Sequence, residues 1–224
     1  MYKKFEHKPY QFDELPQCYV NGKRYYDVGG GKTYPSVTTV LSSLSKEHLE
    51  AWKQRVGPEQ AEIISRRAAN RGTAMHKLCE DYVGNDPNIE LLVSCAMPNI
   101  VPLFKQIKPV LDTRLELVYN MEACLFSHKL KTAGRSDLLC KFDGVNTVLD
   151  YKSSDGYKKE EWIENYFIQC ATYAQCVYEM KGIIFPQIAV VIAVESENTP
   201  QVFVRKTVDY LNRVKEVFRN FHGE

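Results

Sequence analysis

The sequence predicts a mixed α/β domain, in which a helical N-terminal part is laid over a mixed central sheet flanked by helices. Three observations predict it. Between Ser36 and Asp112 apolar side chains recur at helical spacing, whereas from Leu115 onward short apolar strands alternate with longer helices. Two of those strands, Ala133–Cys140 and Val148–Ser154, flank a turn at Gly144 and read as a hairpin. No repeat or low-complexity tract divides the 224 residues, so they read as one unit, with 1–112 the hairpin and helical part and 113–224 the sheet core.

The elements follow in order. Cys18–Val20 and Arg24–Tyr26 flank Asn21-Gly22, the strongest short hairpin signal. Gly29-Gly30-Gly31-Lys32-Thr33 resembles a phosphate loop only superficially. The glycine required five residues before Gly31 is Tyr26, and Pro35 falls where the helix should begin. Ser36 is placed to cap a helix. A second helix spans Lys46–Val56, with Leu49, Trp52 and Val56 on one face. Gly57-Pro58 precedes a third, Glu59 to Asn70, with Ile63 and Ile64 inward and Arg66, Arg67 and Arg71 on the polar side. Those arginines read either as a solvated face or as a phosphate-contacting patch. Thr73 then caps a fresh helix on which His76 and Glu80 share a face.

Pro87–Asp112 is helical and punctuated by prolines, a connecting cap. Leu115–Tyr119 and Met121–Phe126 are strands. A helix over Lys158–Met180 carries Trp162, Tyr166, Gln169 and Tyr173 at helical spacing, Trp162 facing the core. Gln187–Glu195 and Gln201–Arg205 are paired strands. Thr207–Phe221 is an amphipathic closing helix with Val208, Leu211, Val214 and Phe218 on one side.

Net charge is +1, so any nucleic-acid contact needs a local patch rather than a global field. The seven cysteines form no C-x-x-C pair and read as free, mostly buried thiols of a reducing, cytoplasmic setting. Neither a signal core nor a transit-peptide pattern is evident at the N-terminus.

The chemistry concentrates in the central hairpin. On a strand, residues two apart share a face, so Asp150 and Lys152 project together and Tyr151 points away. A hairpin brings Asp137 beside Asp150. Two carboxylates and an ammonium in one place form an oxygen-rich site suited to Mg²⁺ or Mn²⁺. Glu122 is a third possible carboxylate, with Glu116 competing if the register differs. The simpler reading is a set of strand-end salt bridges.

Together Arg71-Gly72-Thr73-x-x-His76-x-x-x-Glu80, Glu122, Ala133-Gly134-Arg135-x-Asp137, Asp150-Tyr151-Lys152-Ser153-Ser154 and Gln169-x-x-x-Tyr173 resemble the PD-(D/E)xK nuclease superfamily in its RecB-type exonuclease branch. With the Tyr34-Pro35-Ser36-Val37-Thr38 opening, they look most like the mitochondrial genome maintenance exonuclease and its bacteriophage relatives. The resemblance implies a restriction-endonuclease-like core. It also implies a Mg²⁺- or Mn²⁺-dependent deoxyribonuclease acting on single-stranded ends or flaps in replication, recombination or repair. By position Asp137 and Asp150 would hold metal, joined by the Tyr151 carbonyl, with Glu122 and His76 completing or flanking the sphere. Lys152 would orient water. Gln169, Tyr173 and Ser153 would contact DNA, as would the arginine patch. A structure-specific endonuclease and a non-catalytic DNA-binding protein with a degenerate core are the alternatives.

Overall fold

The computed structural model describes residues 2–223. A six-stranded mixed sheet organises them, in the order β1 (Glu6–His7), β5 (Leu115–Ser127), β6 (Thr132–Phe142), β7 (Val145–Ser154), β8 (Gln187–Val194), β9 (Gln201–Lys206). Strands β5, β6 and β7 form an antiparallel meander, β7 and β8 are parallel, and β9 returns antiparallel. The parallel step requires a crossover, supplied by helix α6 (Glu164–Lys181). A second sheet joins β2 (Gln17–Val20), β3 (Lys23–Asp27) and β4 (Thr33–Pro35).

Both faces of the main sheet are covered, as strands apolar on both sides demand. One core packs α1 (Val37–Ser42), α6 and α7 (Leu211–His222) against Leu139, Val148, Val190 and Ile192. The other packs α3 (Pro58–Val83), α4 (Ile89–Cys95) and α5 (Ile100–Arg114) against Leu138, Cys140, Leu149 and Tyr151. Alternate strand residues thus belong to opposite cores. No helix among the described residues is long and apolar enough to cross a membrane.

The predicted turns form. Asn21-Gly22 and Asp143-Gly144 both take positive φ at their two central positions, the signature of tight hairpin turns. Ser36 Oγ accepts the Thr39 N–H at 3.0 Å, capping α1 as expected. Of the free cysteines, five are buried, while Cys18 and Cys95 are exposed.

Several elements differ from the sequence reading. The break expected near Thr73 is absent: α3 runs unbroken for 26 residues. Gly72 costs that helix about 1 kcal/mol, which burial of Met75, Leu78, Cys79 and Tyr82 offsets. Its first half buries only Ala61, Ile63 is exposed, and α2 (Lys46–Val56) buries no side chain. α2 packs chiefly against α3 and the turn before it, so Trp52, Val56 and Ile64 are only partly buried. The proline-punctuated region is more than a cap, because α5 contributes Ile100, Leu103, Phe104, Ile107 and Leu111 to the second core. The two strands expected over residues 115–126 are one, with irregular register at Leu115/Leu117 and Val118/Asn120. Trp162 is 60% exposed on a 3-10 turn ahead of α6, with Lys159 over its ring. Val208 is likewise exposed on a 3-10 turn, leaving Val214, Val217 and Phe218 as the buried side of α7.

Candidate functional site

The site lies where the main sheet splits. The β6–β7 ladder runs from Phe142↔Val145 to Leu138↔Leu149 and stops. Beyond that point β6 stays with β5 as far as Thr132↔Ser127, and β7 stays with β8 as far as Ser154↔Val194. The strands therefore fork at Asp137 and Asp150. Ser36 bridges to Ala133 on the β6 side of the fork, and Thr132 Oγ1 donates to Pro35 O at 3.0 Å. These contacts dock the small sheet and α1 at the rim. The result is a cleft of about 530 Å³ between α3, α6 and the diverging strands.

Splitting a ladder frees backbone groups, which need new partners. The Tyr151 N–H donates to Asp137 Oδ2 at 2.9 Å. His76 Nδ1 lies 3.3 Å from the same oxygen. Asp150 is 2% exposed. Its Oδ1 accepts from Gln169 Nε2 at 2.8 Å, and its Oδ2 meets the Lys152 ammonium as an ion pair. That buried oxygen receives no aligned hydrogen bond. Burial pushes the Asp150 carboxyl above its ordinary range, Lys152 pulls it back and Asp137 adds to the rise. The Lys152 ammonium is held above its ordinary range: burial opposes the charge, and the Asp150 and Asp137 carboxylates outweigh that burial.

Glu122 sits between the pairs Met121↔Leu138 and Ala123↔Ser136, which places it across from Asp137. Its backbone is left-handed, φ 49°, a conformation that non-glycine residues rarely adopt and that often marks functional sites. Burial and the Asp137 and Glu80 charges push its carboxyl up to about 7. Glu116, the competing choice, is removed by register: it pairs with Lys141 at the far end of the strand.

Most of the expected residues converge. His76, Glu122, Asp137, Lys152, Gln169 and Tyr173 all line the cleft, with Asp150 beneath them. Tyr151 brings its backbone N–H to the site, while its ring is buried in the opposite core, edge-to-face with the His76 imidazole at 5.9 Å between ring centroids. Others do not converge. Arg66 and Arg67 are exposed on α3 outside the cleft, and Arg67 faces Glu195 at 3.7 Å. Arg71, expected on the polar side, is 4% exposed. Its guanidinium is taken up by Asp155, by Glu195 at 2.9 Å and by Ser153 Oγ at 3.1 Å. Ser153 is thereby engaged with Arg71 instead of facing the cleft. Both act as ties between α3 and the end of β7.

Three cleft cations were given no role in the sequence reading, Arg24, Lys77 and Arg135, although Arg135 stands in the motif that leads to Asp137. Arg24 Nη2 donates to Thr38 Oγ1 at 3.2 Å, and Arg135 pairs with Glu14. The Nε of each is buried without a partner. Arg135 was discoverable, because it lies two residues before Asp137 on one strand and so shares its face. Arg24 carried no local signal; it reaches the cleft only through docking of the small sheet.

Among the described residues no group of three His, Cys, Asp or Glu side chains meets in metal-holding geometry. The donors themselves fit a hard divalent cation: carboxylate oxygens of Asp137, Asp150 and Glu122, with one of them buried and short of hydrogen bonds. Neither a scan against protein-family models nor a search of curated proteins returned a match for this chain.

Proposed function

We propose that this cleft hydrolyses DNA phosphodiester bonds with Mg²⁺ or Mn²⁺, as a PD-(D/E)xK nuclease of the RecB-type exonuclease branch acting on single-stranded ends or flaps. The observation that carries the reading is the convergence at one strand fork of Asp137, Asp150 and Lys152 with Glu122 and His76. Asp137 and Asp150 share one partly buried lysine, and Glu122 lies across from Asp137 with its own carboxyl raised by that charge; carboxylates set this close are costly unless a cation joins them. Asp137, Asp150 and Glu122 would hold the metal, with His76 flanking it through Asp137. A divalent ion there supplies charge neutralisation at the phosphate and water of lowered pKa. Lys152 holds a positive charge beside the reacting phosphate. Gln169, expected to touch DNA, holds Asp150 in place. Arg24 and Arg135 bring cationic character to the cleft wall, which suits a polyanion.

The test is digestion of end-labelled linear single- and double-stranded DNA, and of closed single-stranded circles, with Mg²⁺, Mn²⁺ or EDTA. Linear single strands should be degraded with metal and spared in EDTA, and Asp150→Asn should lower the rate by about 10²-fold or more. Hydrolysis that persists in EDTA or in Asp150→Asn sinks the reading. Cutting of circles selects an endonuclease, and binding without cutting under any metal selects a non-catalytic DNA-binding protein.

A further inference from the structure

A second surface lies apart from the cleft and shares no lining residue with it. Two hollows of about 460 and 660 Å³ meet at Gln175 and Leu211, between α6 and α7. They form one trough with two unlike halves. The larger half is apolar and includes Tyr178, Ile184 and Val208, which are 52%, 65% and 66% exposed. Three large apolar side chains left open in one hollow are the mark of a binding surface. The smaller half carries Lys129, Lys215 and Arg219. Among the described residues none of these three has a carboxylate within ion-pair distance, and neither half is lined by any Asp or Glu. The adjacent carboxylate, Glu179, is turned onto Ser127 and the backbone N–H groups of His128 and Lys129. Arg205, at the apolar end, is already paired with Glu160.

On a chain of net charge +1, this is a marked local excess of cation beside an open apolar hollow. Charge complementarity asks for an acidic partner. The apolar half decides which kind. Bases stack on aromatic faces, but here two of the three exposed side chains are aliphatic, and these fit aliphatic or aromatic side chains of a protein. We propose that the trough docks an acidic peptide segment of a partner protein, with a large apolar side chain in the Tyr178–Ile184–Val208 hollow and its carboxylates against Lys129, Lys215 and Arg219. This docking is independent of what the cleft does.

The experiment uses the full chain and fluorescein-labelled peptides carrying a Leu-Phe pair next to four aspartates, in both orders. Controls replace the aspartates with lysines or Leu-Phe with Ser-Ser, and a labelled oligo(dT) serves as the nucleic-acid probe. Fluorescence anisotropy should give a dissociation constant of about 1–100 μM for an acidic apolar peptide, weakening with salt. The doubly substituted Lys215→Glu, Arg219→Glu protein and, separately, Ile184→Ser, Val208→Ser should each weaken it by about tenfold or more. All four positions are exposed or on the rim, so unchanged thermal unfolding serves as the folding check. Equal binding of the lysine peptide, absence of binding, or undiminished binding by either doubly substituted protein overturns the proposal. So does oligo(dT) binding that is lost in Lys215→Glu, Arg219→Glu while the acidic peptide shows none.

Discussion

A β-carbon built on Gly134 would stand 2.7 Å from the Tyr173 hydroxyl and 3.0 Å from its ring. The strand carrying Asp137 and the helix carrying Gln169 are therefore in contact at a point where any β-carbon would force the Tyr173 side chain to shift. Gly134→Ala should cost about 1–3 kcal/mol, as overpacking does. It should also disturb Gln169, one turn away, and hence Asp150. Adding Tyr173→Phe removes the closest atom and should recover part of the loss in urea unfolding. If Tyr173→Phe gives no recovery, the contact is not what makes Gly134 necessary.

The Asp150–Lys152 pair should be expensive to break from one side. Lys152→Met leaves a buried carboxylate uncompensated and should cost about 3–5 kcal/mol. Asp150→Asn combined with Lys152→Met should recover most of that stability while leaving hydrolysis abolished. A double-mutant cycle by chemical denaturation separates the pair's structural role from its chemical one.

Glu122 makes a pH prediction with a definite sign. Its carboxyl is raised from 4.5 to about 7 in the folded protein, so the folded state binds that proton more tightly than the unfolded chain. Its contribution is full below about pH 4.5 and is lost as pH rises through about 7. In EDTA, wild type should lose about 1–2 kcal/mol relative to Glu122→Gln across that interval, allowing for solvent screening of a partly exposed group. A stability difference that stays flat from pH 4 to 8 would count against the burial of this charge.

Arg71 and Arg66 should separate cleanly. Arg71→Met removes a buried guanidinium that ties Asp155, Glu195 and Ser153 together; the carboxylates left behind stay within reach of water, so stability should fall by about 1–3 kcal/mol. Arg66→Ala, on an exposed face, should change stability by less than about 0.5 kcal/mol. Were Arg71→Met to weaken DNA binding with stability intact, the phosphate-patch reading would return.

The parts legible in the sequence were those set by local geometry. Period-two alternation places Asp150 and Lys152 on one face, and their ion pair follows from it. Asn-Gly and Asp-Gly turns form because few other sequences accept their backbone angles. What local pattern does not carry is which surface an amphipathic stretch meets. Arg71 looks solvent-facing until Asp155 and Glu195, remote along the chain, close over it. Trp162 and Val208 sit at helical spacing, but the chain there turns as 3-10 ahead of each helix and points them outward. The left-handed backbone of Glu122 is a local strain that only the surrounding sheet can hold in place.

The parallel pairing of β7 with β8 extends without interruption from Thr147↔Gln187 to Ser154↔Val194, past the point where β6 has left. That pairing fixes the reading frame of the strand. Slippage by a single residue would reverse every side chain, delivering the Tyr151 phenol to the cleft and driving Asp150 and Lys152 into the apolar layer beneath α3 and α5. β8, buried from Ile188 to Val194 and taking no part in the site, thereby serves as its template: substitutions that loosen it should disturb the site along with both cores.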